Sequence, residues 1–168
     1  MIEFLPFTPK DFERLKSWIN NKEELFQFAG PLFNYPLTDE QLLHYINMKD
    51  KKPFKVVLKE TNETIGNCEL NYENGNKRLS RILIGKEEYR SKKLGELIVR
   101  KMADLFFQDP NVKMVDLNVF DWNTRAIKCY EKVGFIINHQ NTDYLNVYGN
   151  SWARLNMELK RENYHSKV

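Results

Sequence analysis

Two short stretches of this sequence pair residue types that could do chemistry. The first, Arg90-Ser91-Lys92-Lys93-Leu94-Gly95, packs three cations into a turn that opens onto apolar residues at helical spacing: Leu94, Leu97, Ile98, Met102, Leu105 and Phe106. A helix beginning there leaves backbone N–H groups without intrahelical partners and adds the positive end of its dipole, so it can hold a diphosphate. Taken alone, the turn reads equally as a solvated basic loop. The second stretch is Asn123–Val133, where Asn123, Ala126, Ile127 and Tyr130 fall on one side of a helix at steps of three and four. That face offers an amide, a small residue and a phenol to whatever lies against it; alone, it also fits an ordinary helix with a half-buried Tyr.

A carboxylate completes the set. Residues Thr64–Glu73 alternate as a strand does, with Ile65, Asn67, Glu69, Asn71 and Glu73 on one face and Gly66, Cys68, Leu70 and Tyr72 on the other. The polar face either meets solvent or lines a cleft. In a cleft, Glu69 is the carboxylate placed to take a proton.

The elements that must position these residues follow in order. Ile2–Leu5 reads as a strand. Thr8-Pro9 starts a helix whose buried side is Phe12, Leu15, Trp18 and Ile19. Helical segments at Lys22–Phe28 and Thr38–Met48 come next, the second opened by the capping box Thr38-Asp39-Glu40-Gln41. Phe26, Phe28, Phe33 and Tyr35 in this region are candidate pocket residues, with ordinary core packing as the commoner role for such aromatics. Phe54–Glu60 and Thr64–Glu73 form a hairpin, and Asn74-Gly75 signals a second one leading into Lys77–Gly85. After the first helix, Lys113–Phe120 reads as a buried strand. Phe135–His139 and Trp152–Lys160 form a last strand pair, joined by a long loop, Gln140–Ser151, that could contribute to acceptor binding. Arg161–Val168 is polar and is expected to fray. The sum is one mixed α/β domain over 1–168, a mostly antiparallel twisted sheet of six to seven strands with helices on both faces.

Composition narrows the functional classes. The 168 residues suit a single core, and no apolar run approaches the ~20 residues that cross a bilayer, so the expectation is a cytoplasmic protein without membrane association. Two cysteines and three histidines, without close spacing, predict free thiols and no metal site. A net charge of +3 spread over a mixed surface favours a small polyphosphate over a nucleic acid, which more often meets a concentrated basic stripe.

Joined together, Ile84-Gly85-Lys86-Glu87-Glu88-Tyr89-Arg90-Ser91-Lys92-Lys93-Leu94-Gly95 and Asn123-Thr124-Arg125-Ala126-Ile127-Lys128-Cys129-Tyr130-Glu131-Lys132-Val133-Gly134-Phe135 resemble the GNAT acyl-CoA N-acyltransferases. Within them they resemble the branch of spermidine and ribosomal-protein N-acetyltransferases. The family usually carries Gly where this chain has Ser91 and Lys93; Gly95 is retained. A positive φ at Lys93 would cost about 1 kcal/mol over Gly, which a charge-assisted phosphate contact can offset.

The resemblance implies a site. Acetyl-CoA would lie between two parted parallel strands, Arg81–Gly85 and Met114–Phe120, its pantetheine arm pairing with Ile82, Leu83 and Ile84. The diphosphate would cap the helix beginning near Lys93, held by Arg90, Ser91, Lys92, Lys93, Leu94, Gly95 and Glu96. Asn118, Asn123 and Ala126 would complete the cofactor contacts, and Tyr130 would protonate the departing sulfur. Glu69 acting through water is the implied base, with Glu73, Asp116 or bulk solvent as alternatives. The acceptor is a small-molecule or peptide amine, and a homodimer is compatible with the resemblance. The rival readings are a non-catalytic acyl-CoA-binding module and a small nucleic-acid-binding domain built on the basic turn.

Overall fold

The computed structural model describes residues 1–90 and 92–164; the candidate phosphate ligand Ser91 and the tail 165–168 lie outside the described residues. Seven strands form one sheet in the order β1-β2-β3-β4-β5-β7-β6: β1 (Ile2–Pro6), β2 (Lys51–Leu58), β3 (Glu63–Asn71), β4 (Arg78–Ile84), β5 (Met114–Phe120), β6 (Ile136–Val147) and β7 (Asn150–Lys160). Every neighbouring pair is antiparallel except β4 and β5. The helices are α1 (Phe12–Trp18), α2 (Lys22–Ala29), α3 (Asp39–Ile46), α4 (Leu94–Phe107) and α5 (Thr124–Val133).

Two buried clusters form instead of the single expected core. In one, Ile98, Val99, Met102, Ala103 and Phe106 of α4 pack with Val115, Leu117, Met157 and Leu159 of the sheet. The other is built from the helical lobe, Phe12, Leu15, Leu25, Phe33, Leu42 and Tyr45, with Leu83 of β4 packed against it. The lobe's helices start where side chains can cap them: Asn21 accepts from the Glu24 N–H at 2.8 Å and Thr38 from the Gln41 N–H at 3.3 Å.

Two irregularities in the sheet matter for the site. Between Val56 and Val57 the β2–β3 register shifts, leaving Ile65 as an extra residue on β3. The bulge turns Ile65 into the same cluster as Cys68 and Leu70, so it does not share the face of Asn67 and Glu69 as strict alternation predicts. A second shift falls between Asn67 and Glu69, whose partners are Leu83 and Ser80; here the extra residue is on β4, and Arg81 takes φ 48.

The stretch expected as the loop Gln140–Ser151 is almost entirely strand. β6 runs on to Val147 and β7 begins at Asn150, joined by Tyr148 (φ 51) and Gly149 (φ 90). Two consecutive positive φ values are those of a tight hairpin turn. Residues 161–164 are tied down where fraying was expected. The Arg161 guanidinium donates to the carbonyls of Val112, Phe107 and Asp109, and the Tyr164 hydroxyl donates to the Arg100 carbonyl.

Candidate active site at the parting of two strands

β4 and β5 begin as parallel neighbours and then separate. Only Arg78↔Asp116 and Leu79↔Leu117 are paired, and the Asp116 N–H donates to the Lys77 carbonyl at 3.1 Å. Beyond Leu79 the β4 bulge carries Arg81–Ile84 away while β5 continues straight alongside β7. A sheet that opens this way exposes backbone donors and acceptors that an extended ligand can satisfy. The gap widens into a cleft of about 1230 Å³.

The cleft gathers most of the residues singled out in the sequence. Ile82, Leu83, Ile84, Arg90, Lys93, Gly95, Glu96, Asn118, Asn123, Ala126 and Tyr130 all line it. Lys92 and Leu94 do not: the Lys92 ammonium sits 5.0 Å from the Tyr89 ring centroid, and Leu94 packs against the main core. At the mouth, Lys93 precedes α4 with φ 58, and no side chain caps that helix, so its first N–H groups face the opening. Arg90 reaches back to donate to the Ile84 carbonyl at 3.1 Å, which holds its guanidinium beside the end of β4. Replacing Lys93 with Gly is expected to stabilise the ligand-free protein by up to about 1 kcal/mol. A melting curve should show that as a rise of about 2–4 °C.

On the facing wall, the Asn123 side-chain oxygen accepts from the Ala126 N–H at 3.3 Å, so its carbonyl caps α5 and its amide N–H₂ remains for a ligand. Asn118 is held likewise, its side-chain oxygen accepting from Asn156 at 3.0 Å. The Tyr130 hydroxyl has no hydrogen-bond partner among the described residues, while its ring packs edge-on to Phe135 at 6.2 Å. Burial pushes this phenol well above its ordinary value, with the neighbouring Cys129 adding to the shift. Cys129 lies across from Gly95, where a Cβ would stand 3.5 Å from its sulfur. Burial likewise raises the Cys129 thiol, so it is a weak nucleophile.

Glu69 does not join this group. It is fully buried between β4 and the helical lobe, away from the cleft wall. The Tyr45 hydroxyl donates to its Oε1, and Arg81 donates to its Oε2 at 2.6 Å. Burial pushes its carboxyl above the usual range, opposed by Arg81 and by the Tyr45 hydrogen bond. Both of its oxygens are engaged, and it meets the cleft through Arg81, which lines it. Of the other two candidates, Asp116 is held by Arg78 at 2.8 and 3.0 Å and by Asn156. Glu73 lines the cleft, 3.4 Å from the Lys51 ammonium.

Several lining residues were not anticipated from the sequence. Arg125, Lys128 and Lys132 line the mouth with Arg90 and Lys93, and none forms an ion pair among the described residues. Their spacing of three and four along α5 is the signal that marks them as one stripe. At the far end Glu24, Asp50 and Glu73 line the cleft. The arginines there are already neutralised, Arg78 by Asp116 and Arg154 by Asp143. Lys51 also lines the cleft and pairs with both Asp50 at 3.3 Å and Glu73 at 3.4 Å, so the mouth is cationic while at the other end three carboxylates stand against this one ammonium. Of the aromatic candidates, Phe28 lines the cleft, and Phe26 packs against Phe120, Tyr148 and Trp152 beside it. Phe33 belongs to the lobe core and Tyr35 is exposed. Among the described residues no helix is long and apolar enough to cross a membrane, and no group of three or more His, Cys, Asp or Glu could hold a metal.

Comparison with known proteins agrees with this geometry. Over 53 residues the chain is 40% identical to an aminoglycoside N(6')-acetyltransferase type 1 of Klebsiella pneumoniae; the match covers 32% of this chain and spans 26% of that relative's length. Across nearly whole chains the fold matches an aminoglycoside acetyltransferase, AAC(6')-Ib, in complex with coenzyme A (TM-score 0.72, 22% identity, covering 97% of this chain and 96% of that one). It also matches the spermidine N-acetyltransferase of Vibrio cholerae in complex with CoA and spermine (TM-score 0.77, 18% identity, covering 97% of each). At those identities the likeness establishes the architecture alone. The model of the acetyltransferase (GNAT) domain matches residues 2–136, a span that holds the helical lobe, the parted strands, the cationic turn and the Asn123–Tyr130 face, and the chain therefore belongs to the GNAT acetyltransferase family.

Proposed function

We propose that this chain is an acetyl-CoA-dependent N-acetyltransferase that moves the acetyl group directly to a primary amine while donor and acceptor are bound together. The observation that carries the reading is the separation of β4 and β5 after two paired positions, with an unengaged phenol, Tyr130, on the wall of the resulting cleft. The pantetheine arm would bond to the exposed backbone of Ile82–Ile84 and to the Asn123 amide. The diphosphate would sit on the first N–H groups of α4, supported by Arg90 and Lys93.

In the reaction a neutral amine attacks the thioester carbonyl, charge builds on its oxygen, and the C–S bond breaks. Holding the partners together can supply roughly 7–11 kcal/mol of the barrier. The surplus proton of the attacking nitrogen leaves toward solvent or Glu73, and Tyr130 hydrogen-bonds the developing thiolate. The carboxylates Glu24, Asp50 and Glu73 at the far end favour an acceptor that carries positive charge. Two relatives in the comparison are named for aminoglycoside and spermidine acetylation, which supports an amine acceptor of that kind.

A panel of polyamines, aminoglycosides, peptides and amino acids, incubated with acetyl-CoA and followed by release of free thiol, tests the proposal. Turnover with at least one amine supports it. Binding of acetyl-CoA by calorimetry with no thiol released for any amine would point to a sensor module, a reading favoured by the location of Glu69 outside the cleft.

A further inference from the structure

The proposed reaction leaves a buried charged group unexplained. Glu69 is fully buried and Tyr45 is 3% exposed, and together they close on Arg81, which does line the cleft. These three residues come from three different pieces of the fold: Tyr45 from α3 of the acceptor lobe, Glu69 from β3, and Arg81 from the β4 bulge. The Arg81 guanidinium lies 5.9 Å from the Tyr45 ring centroid as well as 2.6 Å from the carboxylate, and its Nε is buried without a partner.

The backbone at Arg81 makes this arrangement informative. With φ 48, Arg81 holds a left-handed conformation that a long L side chain avoids, at the point where β4 parts from β5. The bulge calls for a left-handed residue here, a place that glycine usually fills and that this chain gives to an arginine. Strain of this kind persists only where surrounding contacts over-determine it. The contact available is the ion pair: Glu69 pairs across the ladder with Ser80, the residue just before the bulge, and draws the Arg81 side chain back under the lobe. Arg81 and Ile82 both line the cleft.

We propose that Glu69 and Tyr45 are positioning residues that act through Arg81, fixing the β4 bulge so that its backbone meets the bound thioester and so that the acceptor lobe and the donor groove move as one. The proposal rests on the acetyltransferase reading, and it replaces proton abstraction as the role of Glu69. It also predicts coupling between the three residues. Once the Arg81 side chain is gone, Glu69 has nothing left to hold.

The experiment measures acetyl-CoA affinity by calorimetry, kcat and KM for both substrates, the pH profile of kcat/KM and the melting temperature, for wild type, E69Q, Y45F, R81K, R81M and E69Q/R81M. Expected are a fall in kcat of about 10²-fold in E69Q and R81M, the size associated with a small misplacement of reacting groups, and weaker acetyl-CoA binding. Y45F should show the same pattern at smaller amplitude, R81K should recover part of the loss, and the double variant should be no worse than R81M alone. The acidic limb of the pH profile should stay where it is in wild type. Loss of that limb in E69Q would restore Glu69 as the base and overturn the proposal. Wild-type kcat and affinity in E69Q and Y45F, alongside a lower melting temperature, would reduce the trio to a structural role and overturn it too. Should E69Q fail to fold, Y45F carries the same comparison, since it removes only a hydroxyl. A wild type that shows no heat with acetyl-CoA overturns the acetyltransferase reading itself, whereas a wild type that binds while the variants match it overturns only the positioning role.

Discussion

Tyr130→Phe is expected to lower kcat for acetyl transfer by about 10²–10³-fold, the range for removing one positioned hydrogen-bond donor to developing charge, with little change in KM for the donor. The substitution removes one oxygen that no neighbour in the described structure uses, and it leaves the ring packed on Phe135. The loss therefore falls on the transition state, where sulfur gains charge, and not on the fold. Because burial raises the Tyr130 pKa, the phenol keeps its proton throughout the neutral range and above the ordinary tyrosine value near 10. Activity should show no decline from this group below about pH 10. The thiolate of a thiol with an ordinary pKa near 8.5 is a weaker base than such a phenolate, so Tyr130 keeps its proton and donates a hydrogen bond to the leaving sulfur. The proton lost by the attacking nitrogen passes to solvent or Glu73, and the sulfur leaves as a thiolate hydrogen-bonded to Tyr130. The linkage has a defined sign: a pKa raised in the folded state favours folding below the unfolded value and loses that contribution as pH rises past the folded one. Stopped-flow and steady-state profiles from pH 6 to 10.5 on wild type and Y130F check both points.

Gly66→Ala is expected to destabilise the protein by about 3 kcal/mol, at the upper end for overpacking a core, and to weaken donor binding at the same time. A Cβ at Gly66 would stand 2.2 Å from the Leu83 carbonyl oxygen and 3.4 Å from the Ile84 Cα. Both are backbone atoms, so no rotamer change relieves the clash. β4 must shift, and Leu83 and Ile84 belong to the cleft wall. Urea unfolding, with a slope of about 1–3 kcal/mol per molar, would show a midpoint lower by roughly 1 M or more. Gly95→Ala is the control. Its added methyl meets the Cys129 sulfur at 3.5 Å and the Ile84 Cδ1 at 3.9 Å, both ordinary contacts, so the same titration should barely move.

Where local chemistry decides the outcome, the sequence was legible. Thr38 and Asn123 cap helices because their side-chain oxygens reach N–H groups three residues on, and Gly134 ends α5 in a left-handed conformation at φ 118. The cationic turn and the Asn123–Tyr130 face come together in one cleft because parallel neighbours finish at the same end of the sheet, so the helices that follow them begin side by side. Long-range decisions were not legible. The burial of Glu69 depends on α3 folding over β3, and the alternating pattern of that strand is the same whether its polar face meets water or a second core. The bulge at Ile65 defeats strict alternation, and no local signal announces it. Around Tyr148-Gly149 the polar flanks hid the strands, so the whole of Gln140–Ser151 reads as loop. Lys93 and Arg81 both adopt positive φ without being Gly or Asn, which sequence rules alone would not select. Both positions border the cleft, and strained backbone concentrates at such places.

The two rungs that join β4 to β5 divide the sheet into a four-strand block and a three-strand block with little backbone stitching between them. A donor lying in the gap would act as a temporary eighth strand. Saturating it at a hundred times its dissociation constant would raise the unfolding free energy by about 2.7 kcal/mol, and amide exchange should slow along both banks of the gap. The cargo would then also serve as a brace, and the empty protein would be the one most prone to open along that seam.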